Sequence, residues 1–237
     1  MRIAVLDDDE AALARGCDQV KALRQEPYRL LVRENRQLGD ILSEVQEEKC
    51  AAVISDHRFR TRAQVRFTGA ELVYRANERG LPAVLYSAHV DEDEADSIRA
   101  WRYGIPRVVK KAPGALKALG EALRVAESEA HGERELARQG FLTPVRVVGI
   151  PPGHESVRGL GGDMVEVTVT AWRPRVKIPM PASLLPVGHR KISDDLIGRI
   201  FLGEVNYYAE KSNELFFHDL RVAPDPNPKL RRNQEAA

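Results

Sequence analysis

The chain has 237 residues, 43% of them hydrophobic, which is enough for one large or two modest globular domains. Its 36 basic and 35 acidic residues leave a net charge of +1, so no electrostatic excess points to nucleic acid or an anionic membrane as partner. Two distant cysteines, Cys17 and Cys50, argue against a disulfide framework or a zinc site and fit a reducing compartment. The chain has no basic-then-apolar leader and no apolar run approaching the ~20 residues that span a bilayer. A cytoplasmic location is expected.

Up to about residue 125, short apolar runs alternate with helical spacings. The runs are Ile3–Leu6, Leu30–Val32, Ala51–Ile54, Ala83–Tyr86 and Val108–Val109. The intervening stripes are Leu13, Cys17 and Val20; then Leu38, Ile41, Leu42 and Val45; then Leu72, Val73 and Ala76; then Ile98, Trp101 and Arg102. Strands that are apolar on both faces imply a parallel sheet covered by helices. The reading is therefore α/β, a five-stranded doubly wound sheet of flavodoxin type. A last helix from about Pro113 carries Leu116, Leu119 and Leu123. It then runs into the charged "AESEAHGERELARQG", read as a solvated helical extension or linker.

Beyond Gly140 the pattern changes to partial alternation with proline and glycine punctuation: "PVRVVGI", "MVEVTVTAW", "RVKIPMP", "FLGEVNYYA" and "ELFFHDLRV". These runs predict a small, mostly β domain, a barrel or a sandwich. The expected division is 1–125, a linker 126–140, a β domain 141–224 and a flexible tail 225–237. Gly159, Gly161 and Gly162 lie before a strand rather than a helix, which makes them a structural loop and not a phosphate cradle. His154, His189 and His218 lack metal-ligand spacing. With little helix and a balanced charge, the β domain reads as a protein-binding module, and DNA is not the expected partner.

Four chemical features fall at the carboxyl ends of the predicted strands, where ligands bind in such sheets. The first strand ends in Asp7 and Asp8, the third in Asp56, the fourth in Ser87 and the fifth in Lys110 and Lys111. Three converging carboxylates repel one another unless a cation joins them. A hard divalent ion such as Mg²⁺ relieves that repulsion and also bridges to phosphate oxygens. A lysine ammonium and a serine hydroxyl complete a set suited to phosphoryl transfer onto a carboxylate. Asp9 and Glu10 are better placed to start the first helix, where negative charge is favourable.

The order Asp-Asp, Asp, Ser-Ala, Lys on successive strands resembles the receiver domain of bacterial two-component response regulators. The resemblance implies that Asp56 accepts a phosphoryl group from a histidine kinase. It implies that Asp7, Asp8, Asp56 and the backbone carbonyl of Arg58 hold Mg²⁺, and that Ser87 and Lys111 contact the phosphoryl group. Lys110 is the alternative register for the lysine. The function implied is phosphorelay signalling rather than enzymatic turnover, passed to a downstream protein through the β domain. The last receiver helix and its extension could support a homodimer. Three departures accompany the resemblance. Lys111-Ala112-Pro113 replaces the usual Lys-Pro, Val108 stands where the family commonly has an aromatic switch, and the loop after Asp56 carries Arg58, Arg60, Arg62 and Arg66. Those departures motivate a second reading, a receiver-shaped adaptor that is not phosphorylated. A third reading is a haloacid-dehalogenase-like phosphatase, with Asp7 and Asp9 as its Asp-x-Asp and Asp194-Asp195 as its late acidic pair.

Overall fold

A computed structural model describes residues 1–59, 65–93, 97–151, 163–190 and 192–224. Arg60 and Arg62 of the arginine loop, His154, the glycines at 159, 161 and 162, and the predicted tail 225–237 lie outside the described residues.

The apolar runs of the first half form β1 (Arg2–Asp7), β2 (Glu26–Leu31), β3 (Ala52–Ser55), β4 (Ala83–Ser87) and β5 (Val108–Lys110). All pair in parallel, in the order β2-β1-β3-β4-β5. That is the order of flavodoxin-like doubly wound sheets, as predicted. In β1, Ile3 and Val5 face one side, against Leu13, Cys17 and Val20 of α1 (Glu10–Ala22) and Leu119 and Leu123 of α5 (Leu116–Ala130). Ala4 and Leu6 face the other side, against Ile41, Leu42 and Val45 of α2 (Leu38–Glu47) and Leu72, Val73 and Ala76 of α3 (Gly69–Glu78). Burial on both faces explains the unbroken apolar runs. β2 lies at the edge, which tolerates Pro27 and leaves Glu26 and Arg29 exposed. A single helical turn, α4 (Val90–Asp93), follows β4.

The second half contains β6 (Phe141–Gly149), β7 (Met164–Val169), β8 (Ile178–Pro181), β9 (Ile200–Val205) and β10 (Phe217–Val222). They make one antiparallel sheet, β10-β9-β6-β7-β8, curled into a half-barrel rather than a closed barrel or a two-sheet sandwich. Register breaks at Val147/Gly149 and at His218/Arg221, the second with Asp219 at φ +48°, accentuate the curl. Alternate residues Val145, Val147, Val165, Val167, Phe201, Val205 and Phe217 fill the concave core.

Two features of the junction differ from expectation. The stripe Ile98, Trp101, Arg102 is not an α-helix: Arg99–Gly104 winds as a 3₁₀ turn. A 3₁₀ turn eclipses residues three apart, so Arg99 and Arg102 reach the same way. Arg99 Nη1 donates to the carbonyls of Ser212 and Leu215 at 3.0 and 3.3 Å, and Arg102 Nε to that of Asn213 at 3.3 Å. Between them and the sheet, Tyr103 stacks on His218 at 3.7 Å and meets Phe216 edge-on. The charged extension is likewise not simply solvated. α5 ends at Ala130, and Arg138 is buried at 1% exposure. Its guanidinium pairs with Glu129 at 2.9 Å, donates to Tyr103 O at 3.0 Å and lies over the Phe216 ring. Glu129 pairs with both Arg134 and Arg138, and Arg138 also reaches backbone carbonyls, an arrangement that composition does not reveal.

Arg138→Ala leaves Glu129 and two carbonyls buried without this donor. The expected loss is about 3–5 kcal/mol of unfolding free energy, measured by urea denaturation with the fluorescence of Trp172, in the turn after β7, and far-UV circular dichroism as probes.

Candidate functional site

The site is assembled by strand ends. β1 delivers Asp7, and the chain leaving it turns at once into α1, whose N-cap is Asp9; the Asp9 carboxylate accepts from Ala12 N–H at 2.9 Å. β3 delivers Asp56, whose own N–H bonds Leu6 O at 2.9 Å and so locks the two strand ends in register. β4 delivers Ser87, fully buried, and the Ser87 carbonyl accepts Lys111 N–H at 2.9 Å just beyond β5.

Asp7 and Asp56 are used in the same way. One oxygen of each fixes its local turn: Asp7 Oδ1 accepts Asp9 N–H at 3.0 Å, and Asp56 Oδ2 accepts Arg58 N–H at 2.8 Å. The other oxygen meets the Lys111 ammonium, at 2.8 Å for Asp7 Oδ2 and 2.5 Å for Asp56 Oδ1. Lys111 Nζ also lies 5.7 Å from the centre of the Tyr86 ring. Lys110, the alternative lysine, is exposed and pairs with Asp91 outside the pocket. Of the two lysines, Lys111 is the one that meets the carboxylates.

Asp7, Asp56 and Lys111 are thus in direct contact. Asp8 is buried next to Asp7, Ser87 Oγ accepts His89 N–H at 3.4 Å, and Arg58 gives the pocket its N–H. Two carboxylates converging on one cation form a donor set that fits a hard divalent ion. Among the described residues, however, no three His, Cys, Asp or Glu side chains already stand together as metal ligands. The Asp194–Asp195 pair sits in an exposed 3₁₀ turn before β9, with Asp195 bound to Arg199. With Asp9 committed as a helix cap, the phosphatase arrangement is not assembled.

Three contributors have no signature in the sequence. His57, directly after Asp56, is fully buried and bonds Ser97 Oγ through Nε2 at 2.7 Å. Gly69 opens α3 so close to the Asp56 turn that a Cβ there would lie 1.6 Å from Asp56 O. The arginines of the 3₁₀ turn are the third. No motif marks the first two, because both depend on the distance between segments far apart in the chain.

Burial pushes the Asp7 carboxyl above its ordinary 3.8, outweighing the opposing pull of Lys111. Burial pulls Lys111 down, but the charges of Asp56 and Asp7 outweigh it and the ammonium ends above 10.5. The folded state therefore holds the Asp7 proton more tightly than the unfolded chain. Stability falls as pH rises from 3.8 through the folded value, and the cost is fully present above it. The Lys111 contribution has the opposite character, complete below 10.5 and lost as pH rises through its folded value. Asp7→Asn is accordingly expected to raise the melting temperature of the metal-free protein at pH 7. The gain shrinks as pH is lowered toward 3.8, as followed by thermal melts across pH.

No family model and no curated protein matches the chain. Solved structures similar to about half of it include a response regulator receiver domain protein from Clostridium thermocellum. That match has 18% identity and a TM-score of 0.42, and spans 55% of this chain and 96% of that one. Another is the signal receiver domain of an HD domain-containing protein from Pseudomonas fluorescens Pf-5, with 20% identity, 56% and 90% coverage and a TM-score of 0.41. A third is the anti-anti-sigma factor PhyR from Bartonella quintana, with 11% identity, 55% and 48% coverage and a TM-score of 0.40. Independently of these matches, the five parallel strands in the order β2-β1-β3-β4-β5 fit a receiver domain.

Proposed function

We propose that the chain is a response-regulator-like signalling protein that accepts a phosphoryl group on Asp56. The observation that carries the reading is the paired use of Asp7 and Asp56 at neighbouring strand ends, each with one oxygen fixed by its own turn and the other on Lys111. In the reaction an Asp56 carboxylate oxygen attacks phosphorus, the P–N bond of a donor phosphohistidine breaks, and the imidazole leaves with a proton. The product is an acyl phosphate on Asp56. Lys111 moves from the Asp56 oxygen to a phosphoryl oxygen, where its charge opposes the added negative charge, and the buried Ser87 hydroxyl donates a second bond. Asp7, Asp8, Asp56 and the Arg58 carbonyl would hold Mg²⁺, which when bound supplies charge neutralisation during transfer. The partners on this reading are a histidine kinase as donor and a downstream protein met through the curled sheet. Output passes through the 3₁₀ turn Arg99–Gly104, which contacts both halves. No helix among the described residues is long and apolar enough to cross a membrane.

A second reading, a receiver-shaped adaptor that is never phosphorylated, is favoured by Val108 at the switch position and by the Lys111 ammonium already resting on Asp56. One experiment separates the two. The purified chain is incubated with Mg²⁺ and acetyl phosphate, and intact mass is recorded for wild type and Asp56→Asn. A single added phosphoryl group in wild type and none in the variant is expected. Equal mass change in both, or none in either, favours the adaptor. In parallel, Mg²⁺ alone is expected to raise the melting temperature of wild type and to leave Asp7→Asn unchanged.

A further inference from the structure

The aromatic switch is replaced by Val108, a half-buried residue with neither ring nor hydroxyl to relocate. We propose that the buried hydrogen bond between His57 and Ser97 couples the occupancy of Asp56 to the docking of the curled sheet, with His57 as the positioning residue. This inference rests on the phospho-acceptor reading and concerns the regulation of that same site.

The argument starts at the acceptor turn. His57 follows Asp56 directly, and both are buried. Their backbone has no room to move toward α3, because Gly69 already approaches within the space of a single Cβ and Gly69 N–H bonds His57 O at 2.9 Å. Arg58 N–H holds the Asp56 carboxylate from the far side of the turn. Packed interiors of this kind transmit a displacement rather than absorb it. The His57 side chain itself contacts Ser97, 2.7 Å from Nε2 to Oγ and forty residues on in the sequence.

Ser97 stands two residues before Arg99, at the start of the segment that winds into the 3₁₀ turn. Arg99 is buried at 3% exposure and holds the carbonyls of Ser212 and Leu215, while Arg102 holds that of Asn213. The gripped segment also carries Phe216, whose N–H is bonded to Asn206 Oδ1 at 2.7 Å. The route therefore runs from Asp56 through His57 and Ser97 to Arg99 and ends on an amide whose protection can be measured. Its two states are a gripped 212–216 segment when Asp56 is bare and a released one when it is phosphorylated. The added phosphoryl group supplies the differential interaction that such a shift requires.

The test uses the full chain and hydrogen–deuterium exchange of peptides covering 206–217, with and without labelling by acetyl phosphate and Mg²⁺. Labelling at Asp56 is quantified by intact mass in the same samples. In wild type, labelling is expected to speed exchange there by about fivefold or more, the lower end of common coupling energies. In Ser97→Ala, Asp56 is expected to label to the same extent while exchange in 206–217 no longer responds. Ser97→Thr, which keeps a hydroxyl, restores the response. His57→Phe, which fills the volume without a ring nitrogen, should behave like Ser97→Ala and provides a second route should one variant fold poorly. A merely structural hydrogen bond would change basal exchange in these variants but leave the response to labelling intact. If wild type labels without any change in 206–217, or Ser97→Ala and His57→Phe respond like wild type, the coupling is overturned and the acceptor reading stands. If Asp56 does not label at all, both fall.

Discussion

The architecture of the first half turns on one ammonium group shared by two buried carboxylates. Lys111 emerges beyond β5, crosses the end of β4, and meets Asp56 at the end of β3 and Asp7 at the end of β1. Without a cation there, two carboxylates removed from water would face each other across adjacent strands, an arrangement in which one of them resists ionisation. The pairing does not fully offset the cost. The Asp7 carboxyl is held above its ordinary range because burial outweighs the lysine beside it. The pocket therefore retains an unfavourable carboxylate that a second cation would relieve.

The second half is attached by a different chemistry. Arg99, Arg102 and Arg138 are all nearly inaccessible, and each donates to backbone carbonyls. Guanidinium suits this role because its planar fork presents several donors at fixed angles and is less strongly hydrated than an ammonium. The carbonyls of Ser212, Asn213 and Leu215 belong to a 3₁₀ turn and its exit before β10, and Asn206 bonds the same stretch through Glu214 O and Phe216 N–H. The junction therefore depends on geometry at the level of single hydrogen bonds. That makes it sensitive to small displacements in a way that a broad apolar interface would not be.

Much of the first half was legible in the sequence, because strands buried on both faces and helices with a single apolar stripe leave strong periodic signals. Asp7, Asp56 and Lys111 were legible for the same reason: once the strands are located, their ends are too. The choice between Lys110 and Lys111 was not, since adjacent residues beyond a short strand differ only in the direction they leave it. β2 was read short because an edge strand carries polar residues on its open side. The segment 126–140 was read as solvated because charge usually marks exposure, yet Glu129 and Arg138 are buried by satisfying each other. The 3₁₀ winding at Arg99–Gly104 escaped because its i, i+3 repeat overlaps with the spacing of an α-helix. Its winding is matched to the carbonyls of the curled sheet, more than a hundred residues away.

Apart from β2, at the other edge of the sheet, those misreadings fall near the junction of the two halves. Local rules largely agree with the fold in the strands and helices of the first half, whereas the exceptions near the junction are a buried histidine after Asp56, a glycine with no room for a Cβ, and charged side chains in the interior. Sequences that specify one structure tend to break their own rules at sites under functional constraint. A histidine at position 57 contributes little to a core that valine or leucine would fill more favourably, since its ring must find polar partners when buried. Its Nε2 bond to Ser97 meets part of that need and at the same time ties the turn of Asp56 to the segment that grips the second half.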